Sequence, residues 1–439
     1  MNLFDTYLIP PSSGQLDLLR GLLVMTYAFY LPYLGLVGGA TMLSLTFNYR
    51  DHDIPNSTFA RMAKDLMDIA VPNRWVTIVL GVLPLVVLWM VYGEWLAKSA
   101  PSTFWLFPVG GLLITLSFVA ISAYRKTLHP EGRNSMLNFG LGGVGLATFT
   151  LGVYILIGVI TRFNDPERWF LDQGPIRLML SFNIIWRFNL LMISGLAFTC
   201  VSLLFFYFVW PSTRQDGDAD YSSFVKKFSS GTALVTTLLI PVMHFFWIVT
   251  VPFIAHSAAL FSVSVAIVAV LFLAFLLLYG TTVSPRPRFG AATFVLFLVF
   301  FGLSGFSDQI TLVNATKEHS AALVAEYELL HGREVAEREA ERADGMTIDP
   351  AMGEEVFTTI CSTCHKMDER VVGPPLSAVL PKYTTVDALV EFLKAPKKVN
   401  AEYPPMPAPA ISVTEMKAVA IYLLGESAVE PTGDDVNEH

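Results

Sequence analysis

The chain has 439 residues, of which 53% are hydrophobic and 15% are charged. Soluble globular proteins carry about 25% charged residues, so the composition excludes an ordinary soluble enzyme. The formal net charge of −8 is unevenly divided: residues 314–439 hold 11 Lys and Arg against 22 Asp and Glu, whereas residues 1–313 hold 18 against 15. Neither part has the basic surface that nucleic acid requires, so no nucleic-acid partner is expected.

Eight long uncharged stretches occur in the first 313 residues. Crossing the hydrocarbon core of a lipid membrane takes about 20 apolar residues in a helix. The stretches that meet this length are 19–47, 75–97, 102–124, 138–161, 180–211, 228–254, 257–279 and 289–312. The sequence therefore predicts an all-α chain in which residues 1–313 form a polytopic helical membrane domain of about eight spans.

Basic residues in the short loops predict the orientation of these spans. Twelve Lys and Arg residues follow spans one, three, five and seven, whereas six, counting Arg187, lie on the opposite side. Cytoplasmic loops carry the excess of Lys and Arg, and an even number of spans returns the chain to the side where it began. We therefore expect a multi-pass protein of the bacterial inner (cytoplasmic) membrane, with its N-terminus and its C-terminal region on the periplasmic side.

Three further segments follow the membrane domain. Residues 314–345 are rich in Ala, Glu and Arg at helical spacings, which predicts a charged helical linker. Residues 346–425 have the length of a small compact domain. Residues 426–439 are acidic and interrupted by Pro and Gly, which is typical of a disordered tail.

The strongest motif lies in the small domain. Residues 361–365 read Cys-Ser-Thr-Cys-His, the Cys-x-x-Cys-His pattern of covalent attachment of a c-type haem. The thiols of Cys361 and Cys364 add to the two vinyl groups, and the adjacent His365 then ligates the iron. A structural zinc site needs four ligands, and the only other cysteine is Cys200. A thioredoxin-like redox pair needs a βαβ pattern, which is missing here.

Two further segments follow the motif at a distance. One is Gly373-Pro374-Pro375-Leu376, and the other is the run Tyr403-Pro404-Pro405-Met406-Pro407. The second segment contains Met406, and two other methionines lie nearby in the sequence. Met367 is too close to the attachment site to reach the opposite face of a haem. Met416 lies in an amphipathic stretch that predicts a packed helix.

Together, these segments resemble class I cytochromes c over about 80 residues. The resemblance implies one covalent haem c with His365 and Met406 as the axial ligands of its iron. It also implies that Gly373, Pro374, Pro375 and Tyr403 lie around the haem. Ligation by His and Met raises the reduction potential and leaves no open coordination position. We therefore expect one-electron transfer and no catalysis at this iron.

Histidines in the membrane domain are too few for a conventional cytochrome b. Two haems with paired histidine ligands need four well-placed histidines, but only His244 lies inside a span, with His256 near its outer edge. A single haem b held by His244 and a methionine is one interpretation. An interior histidine held by hydrogen bonds is the other.

Short segments of the membrane domain resemble subunit I of the cytochrome bd quinol oxidases. They are residues 27–36, residues 78–82 and the pair Ser194-Gly195. Where that family carries haem-ligating histidines, this sequence has Ala28 and Asn189. Only a few residues join spans six and seven, where the family has its quinol-binding loop. The resemblance thus implies a scaffold without oxygen-reducing centres, and oxygen reduction is not expected.

Two ionisable residues, Arg187 and Asp308, lie at membrane depth towards the outer side. Such residues are costly in lipid and mark functional sites. Arg187 can hold a quinone, a lipid headgroup or a partner carboxylate, or it can extend to the membrane interface. A quinone is therefore an additional candidate ligand.

The favoured hypothesis is a membrane-anchored c-type cytochrome that serves as the electron-transfer subunit of a respiratory or photosynthetic complex. Its partners would be other membrane subunits and a cytochrome, either soluble or a subunit, that exchanges electrons with it. One alternative is a quinol:cytochrome c oxidoreductase with a haem b at His244. Another is a scaffold with a vestigial haem.

Overall fold

The structure, a computed structural model, describes residues 10–50, 57–96, 104–128, 135–169, 180–210, 219–283, 287–344, 350–398 and 403–425. Within these ranges the chain forms helices and turns and no strand, which confirms the predicted all-α fold. The predicted acidic tail, 426–439, lies outside the described residues.

The helices are numbered here in chain order. They are α1 (Ser13–Arg50), α2 (Thr58–Ala70), α3 (Arg74–Leu96), α4 (Leu106–Thr127), α5 (Ser135–Phe163), α6 (Phe182–Phe208), α7 (Ala219–Thr250), α8 (Ala258–Val283), α9 (Pro287–Ala315), α10 (Lys317–Asp344), α11 (Pro350–Val356), α12 (Leu376–Val379), α13 (Val386–Lys394) and α14 (Val413–Leu424).

Eight of these helices, α1 and α3 to α9, are long and apolar enough to cross a membrane. This agrees with the eight spans expected from the sequence and makes the chain a multi-pass helical bundle. The short helix α2 was not predicted. Ser57 caps its N-terminus by accepting a hydrogen bond from the Ala60 amide, and one side of the helix buries Met62, Leu66 and Met67.

Helix α6 lies at the centre of the bundle. In α6, 72% of the most apolar stretch is buried inside the structure, against 22% in α8. Its contact with α1 is a backbone approach between glycines, because a Cβ atom added to Gly35 would lie 2.8 Å from the Cα atom of Gly195. Small residues of this kind allow close packing of helices in membranes.

The chain divides into two compact units, Met1–Glu328 and Leu329–His439. The division falls inside α10, within the segment predicted as a linker. In the second unit, helices α13 and α14 pack through Leu389, Leu393 and Met416. Helix α11 packs on α14, and just beyond the end of α11 the rings of Phe357 and Tyr422 lie 5.8 Å apart. The predicted domain boundaries at 313 and 345 remain predictions.

Candidate functional site

The Cys-x-x-Cys-His segment forms a tight turn at the end of a distorted helix. Helix α11 continues into a π-helical turn at Phe357–Cys361, a wider turn that often marks functional sites. The amides of Cys364 and His365 both donate to the carbonyl oxygen of Cys361, at 3.1 and 2.9 Å. These bonds hold the second cysteine and the histidine close to the first cysteine.

The imidazole of His365 is oriented by the segment that begins at Gly373. Its Nδ1 atom donates to the carbonyl oxygen of Pro374 at 3.3 Å. Gly373 packs directly against the ring, and a Cβ atom at this position would overlap the imidazole. The Gly373 amide in turn donates to the carbonyl of Cys364 at 2.9 Å. Because Nδ1 is engaged, Nε2 is the nitrogen available to a metal.

A cleft with a volume of about 180 Å³ opens beside this imidazole. Of the predicted site residues, Cys361, His365, Pro374, Tyr403 and Met406 line it. The guanidinium of Arg370 lies 4.7 Å from the ring centroid of Tyr403. The structure thus brings the predicted imidazole and thioether ligands, which are 41 positions apart in the sequence, to one cleft.

Three predicted residues do not line the cleft. Cys364 is exposed, Gly373 supports the imidazole from behind, and Pro375 is the residue from which α12 begins. Burial raises the pKa of the Cys361 thiol, and the neighbouring Cys364 thiol adds to the rise. The Cys361 thiol is therefore protonated at neutral pH.

Several residues of the cleft were missed by the sequence reasoning. Two are the aromatic residues Phe357 and Tyr383, and three are the lysines Lys382, Lys397 and Lys398. The adjacent pair Lys397-Lys398 could have indicated these residues from the sequence, because it is a local concentration of positive charge in an acidic region. Three ammonium groups at the cleft suit a ligand with negative substituents.

The donor set fits a haem better than a bare metal ion. The cleft combines an imidazole, a thioether and a cysteine with an apolar lining, which includes Leu376, Leu389 and Leu393. Imidazole and thioether together are axial ligands of haem iron. Among the described residues, no group of three or more His, Cys, Asp or Glu side chains is arranged to hold a metal ion.

The small helical unit and its cleft have the features of the class of c-type cytochromes. Cytochrome c-551 of Azotobacter vinelandii is 35% identical over 77 residues, which cover 94% of that protein and 16% of this chain. The Cys-x-x-Cys-His pattern occurs once in the sequence, at residues 361–365. The chain therefore contains a region that belongs to the c-type cytochromes. No family model matches the chain.

In the membrane bundle, Arg187 of α6 forms an ion pair with Asp308 of α9, and their side chains are 14% and 8% exposed. The Arg187 guanidinium also lies 4.7 Å from the ring centroid of Trp247. Among the partners that the sequence left open, the structure shows a carboxylate of this same chain. Both predicted residues therefore belong to one buried site.

His244 lies beside the same tryptophan. It is 3% exposed, and its ring is 5.4 Å from that of Trp247. Neither of its ring nitrogens has a hydrogen-bond partner among the described residues. His256, near the end of the span, has its Nε2 atom 3.4 Å from the carbonyl of Ile248. Of the two histidines, only His244 is a buried group without a polar neighbour to satisfy it.

Proposed function

We propose that the chain is a membrane-anchored, monohaem c-type cytochrome that serves as the electron-transfer subunit of a respiratory or photosynthetic complex. One observation carries the proposal: His365 and Met406 line the same cleft as Cys361. An electron-transfer role follows from the two ligand types, because together they favour a six-coordinate iron of relatively high potential.

Each residue of the cleft has a distinct task in this proposal. Cys361 and Cys364 would hold one haem c covalently, and His365 Nε2 and the Met406 sulfur would ligate its iron. Gly373 and Pro374 fix the plane and the tautomer of the imidazole. When bound, the group supplies a one-electron redox couple. The protein contributes the ligands and an apolar lining that limits the access of water.

The location of the chain follows from its spans and loops. We infer the bacterial inner membrane, with the N-terminus and the cytochrome unit on the periplasmic side, because Lys and Arg are concentrated in the loops that follow spans one, three, five and seven. Eight spans exceed the anchor that one haem unit needs. The large bundle therefore favours contacts with other membrane subunits.

The electron partner is expected to be a cytochrome, either soluble or part of the same complex. Residues 314–439 carry 11 basic against 22 acidic side chains. Such a charge attracts a basic partner and accelerates encounter at low ionic strength. Stopped-flow electron exchange with a basic cytochrome c should slow as salt rises. A rate independent of salt would contradict diffusive docking.

Cysteine variants of the full chain test the covalent haem. We expect one haem c per chain in a pyridine haemochrome spectrum, and haem that stays attached on a denaturing gel. The double variant Cys361→Ala, Cys364→Ala should lose it. The matched control is Cys200→Ala, at a buried cysteine in α6, which should keep it. Equal haem content in both variants would refute the proposal.

The same spectrum tests a second candidate function, a quinol:cytochrome c oxidoreductase with a haem b in the bundle. The observation in its favour is the buried His244, whose nitrogens have no partner among the described residues. This candidate requires one haem b for each haem c, and His244→Leu should remove only the haem b. A spectrum of haem c alone would exclude it. Kinship to the cytochrome bd oxidases remains a prediction.

A further inference from the structure

The segment that carries Met406, residues 403–410, has few backbone groups with which to hold itself in place. Four of its eight residues are proline, and proline has no amide N–H to donate. Among the described residues, no backbone hydrogen bond joins this segment to another part of the chain. The position of Met406 must therefore come from side-chain contacts.

One such contact seats the segment on the helices of the cytochrome unit. Met406 and the nearby Ile411 pack against the apolar cluster of α13 and α14. Apolar packing has no preferred direction, and a methionine side chain has three rotatable bonds and adapts to its surroundings. This contact keeps the segment near the helices, but it does not by itself hold the thioether at the cleft.

A second contact joins the segment to residues that follow the haem-attachment motif. Tyr403 lies three residues before Met406, and Arg370 lies five residues after His365. The Arg370 guanidinium is 4.7 Å from the ring centroid of Tyr403, within the distance of about 6 Å at which a cation is attracted to an aromatic face. The contact thus connects the segments that carry the two predicted iron ligands.

The turn that carries Arg370 is itself fixed at both ends. The Gly373 amide donates to the carbonyl oxygen of Cys364 at 2.9 Å, and the Leu376 amide donates to that of Lys366 at 3.0 Å. Both bonds span the turn and tie it to the Cys-x-x-Cys-His motif. Arg370 therefore extends from a firm support, whereas the segment that it contacts lacks one.

Charge alone does not distinguish Arg370 from its neighbours. Lysines already line the cleft, namely Lys382, Lys397 and Lys398. The adjacent carboxylate of Glu369 is paired with Lys366 at 2.8 Å, which leaves the Arg370 guanidinium for the ring of Tyr403. A guanidinium is planar and stacks on aromatic faces, which an ammonium group cannot do. The contact with Tyr403 is therefore the feature that is particular to Arg370.

From these contacts we propose that Arg370 is a positioning residue for Met406. By holding the ring of Tyr403 against the attachment side of the cleft, it keeps the segment 403–410 in place and the thioether available as an iron ligand. The inference rests on the proposed function, because it concerns Met406 as a ligand of a haem.

Imidazole added to the oxidised full chain tests this role, because it can ligate the iron only when Met406 has left. Apparent affinity rises with the fraction of molecules that are open to the competitor. Arg370→Gln should raise the affinity for imidazole about two- to fivefold, the effect of losing an exposed cation–π contact. It should also weaken the red absorption band that a thioether ligand gives to ferric haem.

Two variants control for charge and for the loss of an arginine. Arg370→Lys keeps the charge without the planar group, so the rise in affinity should be smaller than in Arg370→Gln. The matched control is Arg338→Gln, at an exposed arginine of α10, which should bind imidazole as the parent does. An equal rise in Arg370→Gln and Arg338→Gln would overturn the proposal.

Variants of Tyr403 show whether Arg370 acts through the ring. Tyr403→Leu should raise the affinity for imidazole at least as much as Arg370→Gln does. Adding Arg370→Gln to Tyr403→Leu should change nothing further, because the contact is already lost. Additive effects, or an unchanged affinity in Arg370→Gln, would overturn the proposal.

The parent spectrum separates this proposal from the proposed function. A parent chain with haem c but without the thioether band would refute both ligation by Met406 and the role of Arg370. A parent band that persists unchanged in the Arg370 and Tyr403 variants, with unchanged imidazole affinity, would overturn the positioning role alone. The proposed cytochrome function would then stand.

Discussion

The cytochrome unit and the membrane bundle differ in how far apart in the sequence the residues of each site lie. In the cytochrome unit, the attachment residues lie within five positions, from Cys361 to His365. In the bundle, Arg187 meets Asp308 across 121 positions, and the hydroxyls of Tyr27 and Tyr92 meet at 2.7 Å across 65. The first site is visible as a motif, whereas the second exists only after the helices pack.

The two regions also differ in whether their ion pairs are exposed or buried. In the cytochrome unit, Lys366 and Glu369 form an ion pair at 2.8 Å whose side chains are 58% and 71% exposed. Exposed pairs contribute little to stability. The Arg187–Asp308 pair is buried, where an uncompensated charge is costly. The comparison predicts that single substitutions are severe in the bundle and mild on the cytochrome surface.

The largest effect is expected from breaking the buried pair. Arg187→Leu leaves Asp308 as a lone buried carboxylate and should lower the free energy of unfolding by about 3 to 5 kcal/mol. The double variant Arg187→Leu, Asp308→Leu should recover most of this loss, because no uncompensated charge remains. Unfolding in mixed micelles with increasing SDS measures both. Single effects that simply add in the double variant would contradict a direct pair.

The surface pair provides the matched control for this experiment. Lys366→Ala removes one partner of an exposed ion pair and should leave the unfolding midpoint of the full chain unchanged. A large shift in this variant would remove the contrast between the two regions.

The next effect concerns the axial ligand. Met406→His replaces a thioether, which favours the ferrous state, with a second imidazole. The reduction potential should fall by about 0.1 V or more, within the range of about 0.8 V that axial ligands span. Spectroelectrochemical titration measures it. Met367→Leu, at an exposed methionine, should leave the potential unchanged, and an equal fall in both variants would contradict ligation by Met406.

Local signals explain what the sequence predicts correctly. The eight spans follow from uncharged length alone, and the haem motif from the order of five residues. The pairing of Arg187 with Asp308 could not be predicted, because helical periodicity does not tell which spans are neighbours. Helix α2 was missed because its one-sided apolar pattern is shorter than a span.

A smaller effect is expected at the start of α14. Ser412 caps this helix by accepting from the Glu415 amide at 3.3 Å, and the Glu415 carboxylate accepts from the Ser412 amide at 2.7 Å. Ser412→Ala should destabilise the cytochrome unit by about 1 kcal/mol. Thermal loss of the native haem spectrum measures it. Ser377→Ala, an exposed serine in α12, is the control and should change nothing.

The smallest effect is a pH dependence at the first turn of α10. His319 lies outside the spans, and its Nε2 atom donates to the carbonyl of Trp95 at 3.1 Å. Burial lowers the pKa of His319, although the bond to the carbonyl opposes this in part. The unfolded turn therefore binds a proton more readily than the folded one. Stability is complete above the unfolded pKa of about 6.5 and declines as the pH falls towards the lower pKa of the folded state.

Hydrogen exchange of the amides at residues 317–320, corrected for intrinsic rates, measures this dependence between pH 8 and pH 5. Protection should fall with pH in the parent chain and remain constant in His319→Gln, whose amide can still donate to Trp95. Lys317 and Glu318 line the same cavity as His319 and are present in both proteins, so the difference isolates the imidazole. His331→Gln, at an exposed histidine, should behave as the parent does. Loss of protection in His319→Gln at low pH would assign the dependence to another group.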